Sequence, residues 1–91
     1  MLQISKSLST GTITSGGVSQ VLDAAKPRVY ILIINTSDTI MYINFGAAAT
    51  SSHIAIAANG GKWENPNGVC PVNSINILCS VTGKTFTYMI A

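Results

Sequence analysis

Charge is what this sequence has least of. Of its 91 residues only 9% are Asp, Glu, Lys or Arg, five basic against three acidic, for a formal net charge of +2. A typical soluble domain carries about 25%, nearly three times that density. So few basic residues argue against a nucleic-acid binder, and 47% hydrophobic residues exclude intrinsic disorder. Cysteine is almost as scarce. Cys70 and Cys79 cannot form a disulfide framework, and neither lies in a C-x-x-C or Cys/His cluster of zinc spacing. If their strands paired they would close a short loop worth about 2–3 kcal/mol, but production in a reducing cytoplasm favours free thiols. Long apolar runs are missing too. The longest, Val29 to Ile34, falls far short of the roughly 20 residues of a membrane helix. Met1 to Leu8 lacks the basic head and apolar run of a signal peptide, so the chain is expected to stay in the cytoplasm of the cell that makes it. Asn35-Thr36-Ser37 matches the glycosylation sequon, but without a secretory signal it reads as a polar turn.

Small neutral polar groups stand in for charge: ten Ser, nine Thr and seven Asn. They hold water at the surface without repelling a neighbouring subunit, which suits a surface that packs against other protein. A chain this short forms one domain, residues 1–91. It buries only roughly 60–70% of the surface its unfolded form exposes. Small cores without disulfides or metals often gain support from oligomerisation.

Periodicity predicts strands and no helix of ordinary length. Leu2, Ile4 and Leu8 alternate with polar residues as a first short strand, and Ser9 to Gly17, rich in Ser, Thr and Gly, reads as a flexible arm or loop. Val18 to Leu22 is a weak second strand, ended before Pro27. The strongest signal is Arg28 to Phe45. Val29, Ile31 and Ile33 oppose Tyr30, Leu32 and Ile34; after Asn35 to Asp38, a run of turn formers, Ile40 and Tyr42 oppose Met41, Ile43 and Phe45. The pair reads as a central β-hairpin with both faces apolar, so a second covering layer is needed, from within the domain or from another subunit. His53 to Ala57 alternates again, Asn59-Gly60-Gly61 supplies hairpin-turn geometry before Lys62-Trp63-Glu64, and Val69 to Val72 follows the turn Asn65 to Gly68. Ser74 to Ser80 points Ile75, Ile77 and Cys79 inward, and Thr85 to Ile90 closes with Phe86, Tyr88 and Ile90 on one face. About eight short strands at this spacing predict an all-β domain, an antiparallel β-sandwich or jelly roll.

The residues offer little chemistry. Asp23 and Asp38 sit in turn segments where Asp bends the chain for structural reasons, and Glu64 has no carboxylate neighbour in sequence. His53 and many serines are present, but no G-x-S-x-G elbow is. His53, Glu64, Cys70 and Cys79 match no zinc-ligand spacing, and Gly16-Gly17 and Gly60-Gly61 fit no phosphate-binding pattern. The chain is therefore expected to be no enzyme and to hold no cofactor or metal. Lys26, Arg28, Lys62 and Lys84 are too scattered for a basic stripe. Trp63 has two readings: a binding hot spot, or a lid packed on aliphatic neighbours at one end of the barrel. The lid is favoured, since a small sandwich with few aromatics tends to bury its largest ring.

The order of these segments resembles a known group. Arg28 leads a strand into Ile34-Asn35-Thr36-Ser37-Asp38-Thr39, then Met41-Tyr42-Ile43-Asn44-Phe45-Gly46 and Ala47 to Thr50. Next come the strand to Ala57, Gly60-Gly61-Lys62-Trp63-Glu64 and Val81-Thr82-Gly83-Lys84-Thr85-Phe86. Over Ala25 to Ile90 this is similar to small tailed-bacteriophage virion proteins, which pair an Asn-x-Ser-Asp-Thr turn with a Tyr/Trp-x-Asn-Phe-Gly strand and a later Gly-Gly-x-aromatic-Glu element. The resemblance implies a β-sandwich without catalytic residues, made in the bacterial host and located in the virion. Its partner would be the major capsid protein or another virion protein, to which it binds as a decoration or cement protein that bridges subunits of the assembled shell. A homo-oligomer, a trimer, is expected, with neither nucleic acid nor membrane as partner. The chain departs from acidic phage proteins in being slightly basic, which leaves the docking surface undefined. Candidate interface residues are Tyr30, Leu32, Ile34, Tyr42 and Trp63. The alternative is a tail-associated receptor- or carbohydrate-binding module, stacking sugar rings on Trp63, Tyr30, Tyr42 or Tyr88.

Overall fold

Alternation becomes burial in the computed structural model, which describes residues 7–91. Leu2 and Ile4, expected in a first strand, lie outside the described residues. The eight strands are β1 Ser9–Thr12, β2 Gln20–Asp23, β3 Ile31–Asn35, β4 Met41–Phe45, β5 Ile54–Ile56, β6 Gly61–Glu64, β7 Ile75–Cys79 and β8 Thr85–Ile90. They form two antiparallel four-stranded sheets, ordered β1-β8-β3-β6 and β2-β7-β4-β5. The pairs β1/β8, β2/β7, β3/β6 and β4/β5 are those of one long antiparallel ribbon folded at the β4–β5 loop. Contacts β8/β3 and β7/β4 roll that ribbon into two sheets. This is the jelly-roll form of the β-sandwich. It is all-β, as the sequence predicts.

Isoleucine fills the space between the sheets. Ile31, Ile33, Ile43, Ile75 and Ile77 are fully buried with Met41 and Cys79, and Phe86 and Ile90 close the layer. Burying each large aliphatic side chain contributes roughly 1.5–3 kcal/mol, and the β-branched shape suits a pleated surface. The two cysteines are free thiols, Cys79 in the core and Cys70 half-buried.

Two expected hairpins are not hairpins. Strand β3 pairs with β6 and β8, whereas β4 pairs with β5 and β7, so Thr36 to Ile40 carries the chain from one sheet to the other. Likewise β5 and β6 belong to opposite sheets, and Asn59 (φ 59°) and Gly60 (φ 99°) turn the chain across the sandwich. The turn formers bend the chain as well for a passage between sheets as for a hairpin, and the distant partners of β3 (β6 and β8) and of β4 (β5 and β7) decide for the passage.

The crossovers hold each other. Asn35 is fully buried; its Nδ2 donates to the carbonyls of Thr39 (2.9 Å) and Ile56 (3.0 Å), and its Oδ1 accepts from Ser37 N (3.0 Å) and Ser37 Oγ (2.7 Å). Every donor and acceptor of the amide is used. Asn59 N and Gly60 N then donate to the carbonyls of Ser37 (2.7 Å) and Asn35 (2.8 Å).

Ser9 to Gly17 is not the expected arm or loop: Ser9–Thr12 is edge strand β1 beside β8, followed by a turn in which Ile13 is fully buried. Gly11 lies opposite Phe86, and a Cβ there would strike the phenyl ring, so only glycine lets Phe86 cover β1. Val69 to Val72, expected as extended chain, forms no strand.

Replacing Asn35 by Ala takes the side-chain donor from the Ile56 carbonyl and the acceptor from the Ser37 amide at a buried site, while the Thr39 carbonyl keeps the Ser37 hydroxyl at 2.9 Å. At about 1–3 kcal/mol per unsatisfied group, urea denaturation should show a loss of about 2–4 kcal/mol. Ile33→Asp should abolish cooperative folding, read by thermal melts, because an unpaired carboxylate in that core costs several kcal/mol.

Candidate binding surface

The candidate interface residues separate into three places. Odd-numbered residues of β3 face the core, so Leu32 and Ile34, with Tyr30 just before the strand, lie on the outer face of the β1-β8-β3-β6 sheet. Tyr42 lies on the outer face of the other sheet, between Leu78 and Ala55. Trp63, directly opposite Ile33, faces inward, packed on the core and on Phe45, with ring centroids 5.2 Å apart and planes at 49°. The structure therefore gathers Tyr30, Leu32 and Ile34 and leaves Tyr42 and Trp63 apart from them.

Register builds the surface around those three. Leu32 sits between Met89 and Glu64, and Ile34 between Thr87 and Lys62. Beyond them Thr87 opposes Thr10, and Thr85 opposes Thr12. The face thus has a half-buried aliphatic centre of Leu32, Ile34 and Met89, a threonine ladder along β1 and β8, and the opposite charges Lys62 and Glu64 along the β6 edge. Thr85, Thr87 and Met89 are the alternate positions of β8, on the face opposite to Phe86, Tyr88 and Ile90, and the sequence does not single them out.

Tyr30 Oη donates to Glu64 Oε2 at 2.5 Å. That hydrogen bond, then burial and the negative charge of Glu64, raises the Tyr30 phenol above its ordinary value. At the far end of the sandwich Lys84 Nζ lies 2.7 Å from Asp38 Oδ1. This hydrogen bond, with a second from Thr39 and the lysine charge, lowers the Asp38 carboxyl.

The remaining polar candidates are engaged locally. His53 Nδ1 accepts from Thr50 N (2.9 Å) and lies 3.0 Å from Thr50 Oγ1, fixing the turn before β5. The Arg28 side chain has no exposed surface: Nε meets Asp23 Oδ2 at 3.0 Å, Nη1 donates to the carbonyls of Pro71 (2.9 Å) and Asn73 (2.8 Å), and Nη2 to that of Ala24 (2.6 Å). An open depression of about 350 Å³ beside it is lined by Arg28, Val29, Gly68, Val69 and Cys70, but the guanidinium is already committed to the protein. Asp23, Asp38 and Glu64 pair with Arg28, Lys84 and Tyr30 respectively. Among the described residues no three His, Cys, Asp or Glu converge as metal ligands, and no helix is long and apolar enough to cross a membrane. The outer face of the β1-β8-β3-β6 sheet, with its aliphatic centre and the opposite charges Lys62 and Glu64 at one edge, is the candidate surface.

No family model matches the chain, and neither the curated proteins nor the solved structures include a match to it.

Glu64→Gln should lower the Tyr30 titration midpoint toward 10.0, the ordinary phenol value, followed residue by residue in ring-carbon NMR spectra. Because the folded-state phenol is raised, its contribution to stability is complete below that ordinary value and fades as pH rises through the folded one. Asp38 has the opposite sign. Its contribution is present above the ordinary 3.8 and lost as pH falls through the lowered folded value, so a carboxyl NMR titration should place its midpoint below 3.8.

Proposed function

We propose that this chain is a tailed-bacteriophage virion protein that binds the assembled capsid as a decoration or cement protein, bridging neighbouring shell subunits. The observation that carries the reading is the outer face of the β1-β8-β3-β6 sheet, where Leu32, Ile34 and Met89 form an aliphatic centre framed by threonine methyl and hydroxyl groups. A face with so little charge is cheap to desolvate against another protein, since few ions lose water without a partner. The segment order quoted above also supports it, as does the jelly roll, an architecture found in viral capsid and lectin domains. That fold argument is an analogy, because one architecture hosts many functions.

The mechanism is mechanical. Each copy covers a seam between capsid subunits and adds buried interface there. Copies joined to one another convert later attachments into intramolecular ones, so modest individual contacts give tight retention. No step requires bond making or breaking.

A carbohydrate-binding tail module is the less supported alternative. Tyr30 and Tyr42 stand on opposite outer faces and Trp63 faces the core, so these aromatics make no common stacking platform.

The test is co-sedimentation with purified mature shells. The wild-type chain should pellet with them. Leu32→Lys, which places a cation opposite Glu64 and so keeps the sheet, should fold with an unchanged circular dichroism melt yet stay in the supernatant. Wild-type protein that stays in the supernatant would remove the capsid reading, and binding on a host-glycan array would install the alternative.

A further inference from the structure

Strand β6 is an open edge whose outward backbone groups can be assigned. Tyr30 and Ala91 exchange both main-chain hydrogen bonds, 3.1 Å each, and Asn65 N donates to Ile31 O at 3.2 Å. By the alternation of an antiparallel ladder, the even residues of β3 bond to β8 and the odd residues to β6. The register then sets Trp63, opposite Ile33, with its N–H and C=O toward β3. Lys62 and Glu64, one residue to either side, turn theirs away from the sheet, where β6 has no neighbouring strand among the described residues.

The side chains of that edge complement their own two-fold image. Lys62 and Glu64 both lie on the outer face, opposite Ile34 and Leu32. A second β6 laid antiparallel about an axis at Trp63 places Lys62 of each copy opposite Glu64 of the other, giving two opposite-charge pairs. Those are also the residues with free backbone groups, so the register that pairs the charges is the one that makes the hydrogen bonds, four in all by ladder geometry. The two Trp63 residues then meet across the axis as a non-hydrogen-bonded pair, the closer kind, beside the Phe45 contact already present. Moving the axis to Lys62 or Glu64 sets like charges face to face, and only the Trp63-centred register forms both opposite-charge pairs. The other edges carry no such code: β1 has no charged residue, β2 is irregular between Val21 and Asp23, and β5 has only three residues.

We propose that the β6 edge is a homodimerisation site, joining two copies through Lys62–Glu64 pairs into one continuous eight-stranded sheet. The occupant is a second copy of this chain, and the assembly is a two-fold dimer in place of the trimer expected above. Charges on an edge strand ordinarily discourage pairing. Here the opposite signs, two residues apart on one face, attract in the Trp63-centred register and repel in the registers centred on either charge. The inference does not depend on shell binding.

The experiment is analytical ultracentrifugation of the purified chain, with circular dichroism melts to certify folding. The wild type should sediment at twice its 9.5 kDa mass, with association weakening as salt is raised. Lys62→Glu and Glu64→Lys, each alone, put like charges opposite one another at both pairs, and each should weaken self-association by at least about tenfold. Mixing the two variants restores complementarity at both pairs and should recover the dimer, as should the doubly swapped chain. Hydrogen exchange should show protection at the Lys62 and Glu64 amides that rises with protein concentration. A chain monomeric at high concentration, a trimer, or a dimer that survives either single reversal would each overturn the proposal.

Discussion

A jelly roll asks its chain to leave one sheet and enter the other repeatedly, and where a departure is buried its backbone groups need partners from the protein. In this protein strand β3 bears most of that demand, and a buried polar side chain satisfies it at each end. Asn35 closes one end by spending all its hydrogen-bonding capacity on two neighbouring crossovers. Just before the other end, Arg28 gathers the carbonyls of Ala24, Pro71 and Asn73 and the carboxylate of Asp23. Between these anchors Ile31 and Ile33 can be packed without compromise, because the polar groups of the connections have been given partners. Buried polar groups stabilise only when fully satisfied, and both of these come close to that limit.

That arrangement also explains the outer surface. With connections tied internally by neutral amides and one enclosed ion pair, the sheet faces need little charge to stay ordered, and the outer face of the β1-β8-β3-β6 sheet is left to Leu32, Ile34, Met89 and threonine. Such a face gives up little hydration when covered. Its two charges stand at the β6 margin, where Glu64 is also oriented by Tyr30. The proposed shell binding and the proposed self-pairing would draw on different parts of one sheet, its broad face and its β6 edge.

How far the sequence could be read depends on the range of the forces involved. Side-chain parity is local, so the inward sets Ile31/Ile33, Met41/Ile43 and Ile75/Ile77/Cys79 were legible, and with them the fold class. Sheet membership is not local. The turn formers at Asn35 to Asp38 and at Asn59 to Gly61 bend the chain equally well for a hairpin or for a passage between sheets, and distant partners β6, β7 and β8 decide between them. Strand β1 was illegible for a related reason: a Thr/Gly sequence becomes extended because Gly11 admits the Phe86 ring. Arg28 looked like one scattered cation because most of the carbonyls that enclose it lie more than forty residues further on. Of the surface, Tyr30, Leu32 and Ile34 were identified and their partner Met89 was not.

The position of β8 has a consequence for how the molecule comes into being. This strand, last in order along the chain, sits in the middle of its sheet, flanked by β1 and β3. During synthesis those two strands wait with no neighbour between them until Thr85 to Ile90 has been made. Such late, long-range closure slows folding and leaves aggregation-prone edges open meanwhile. That sheet is therefore completed only when β8 joins it, and removing β8 would take out the strand that links β1 to the rest of the layer.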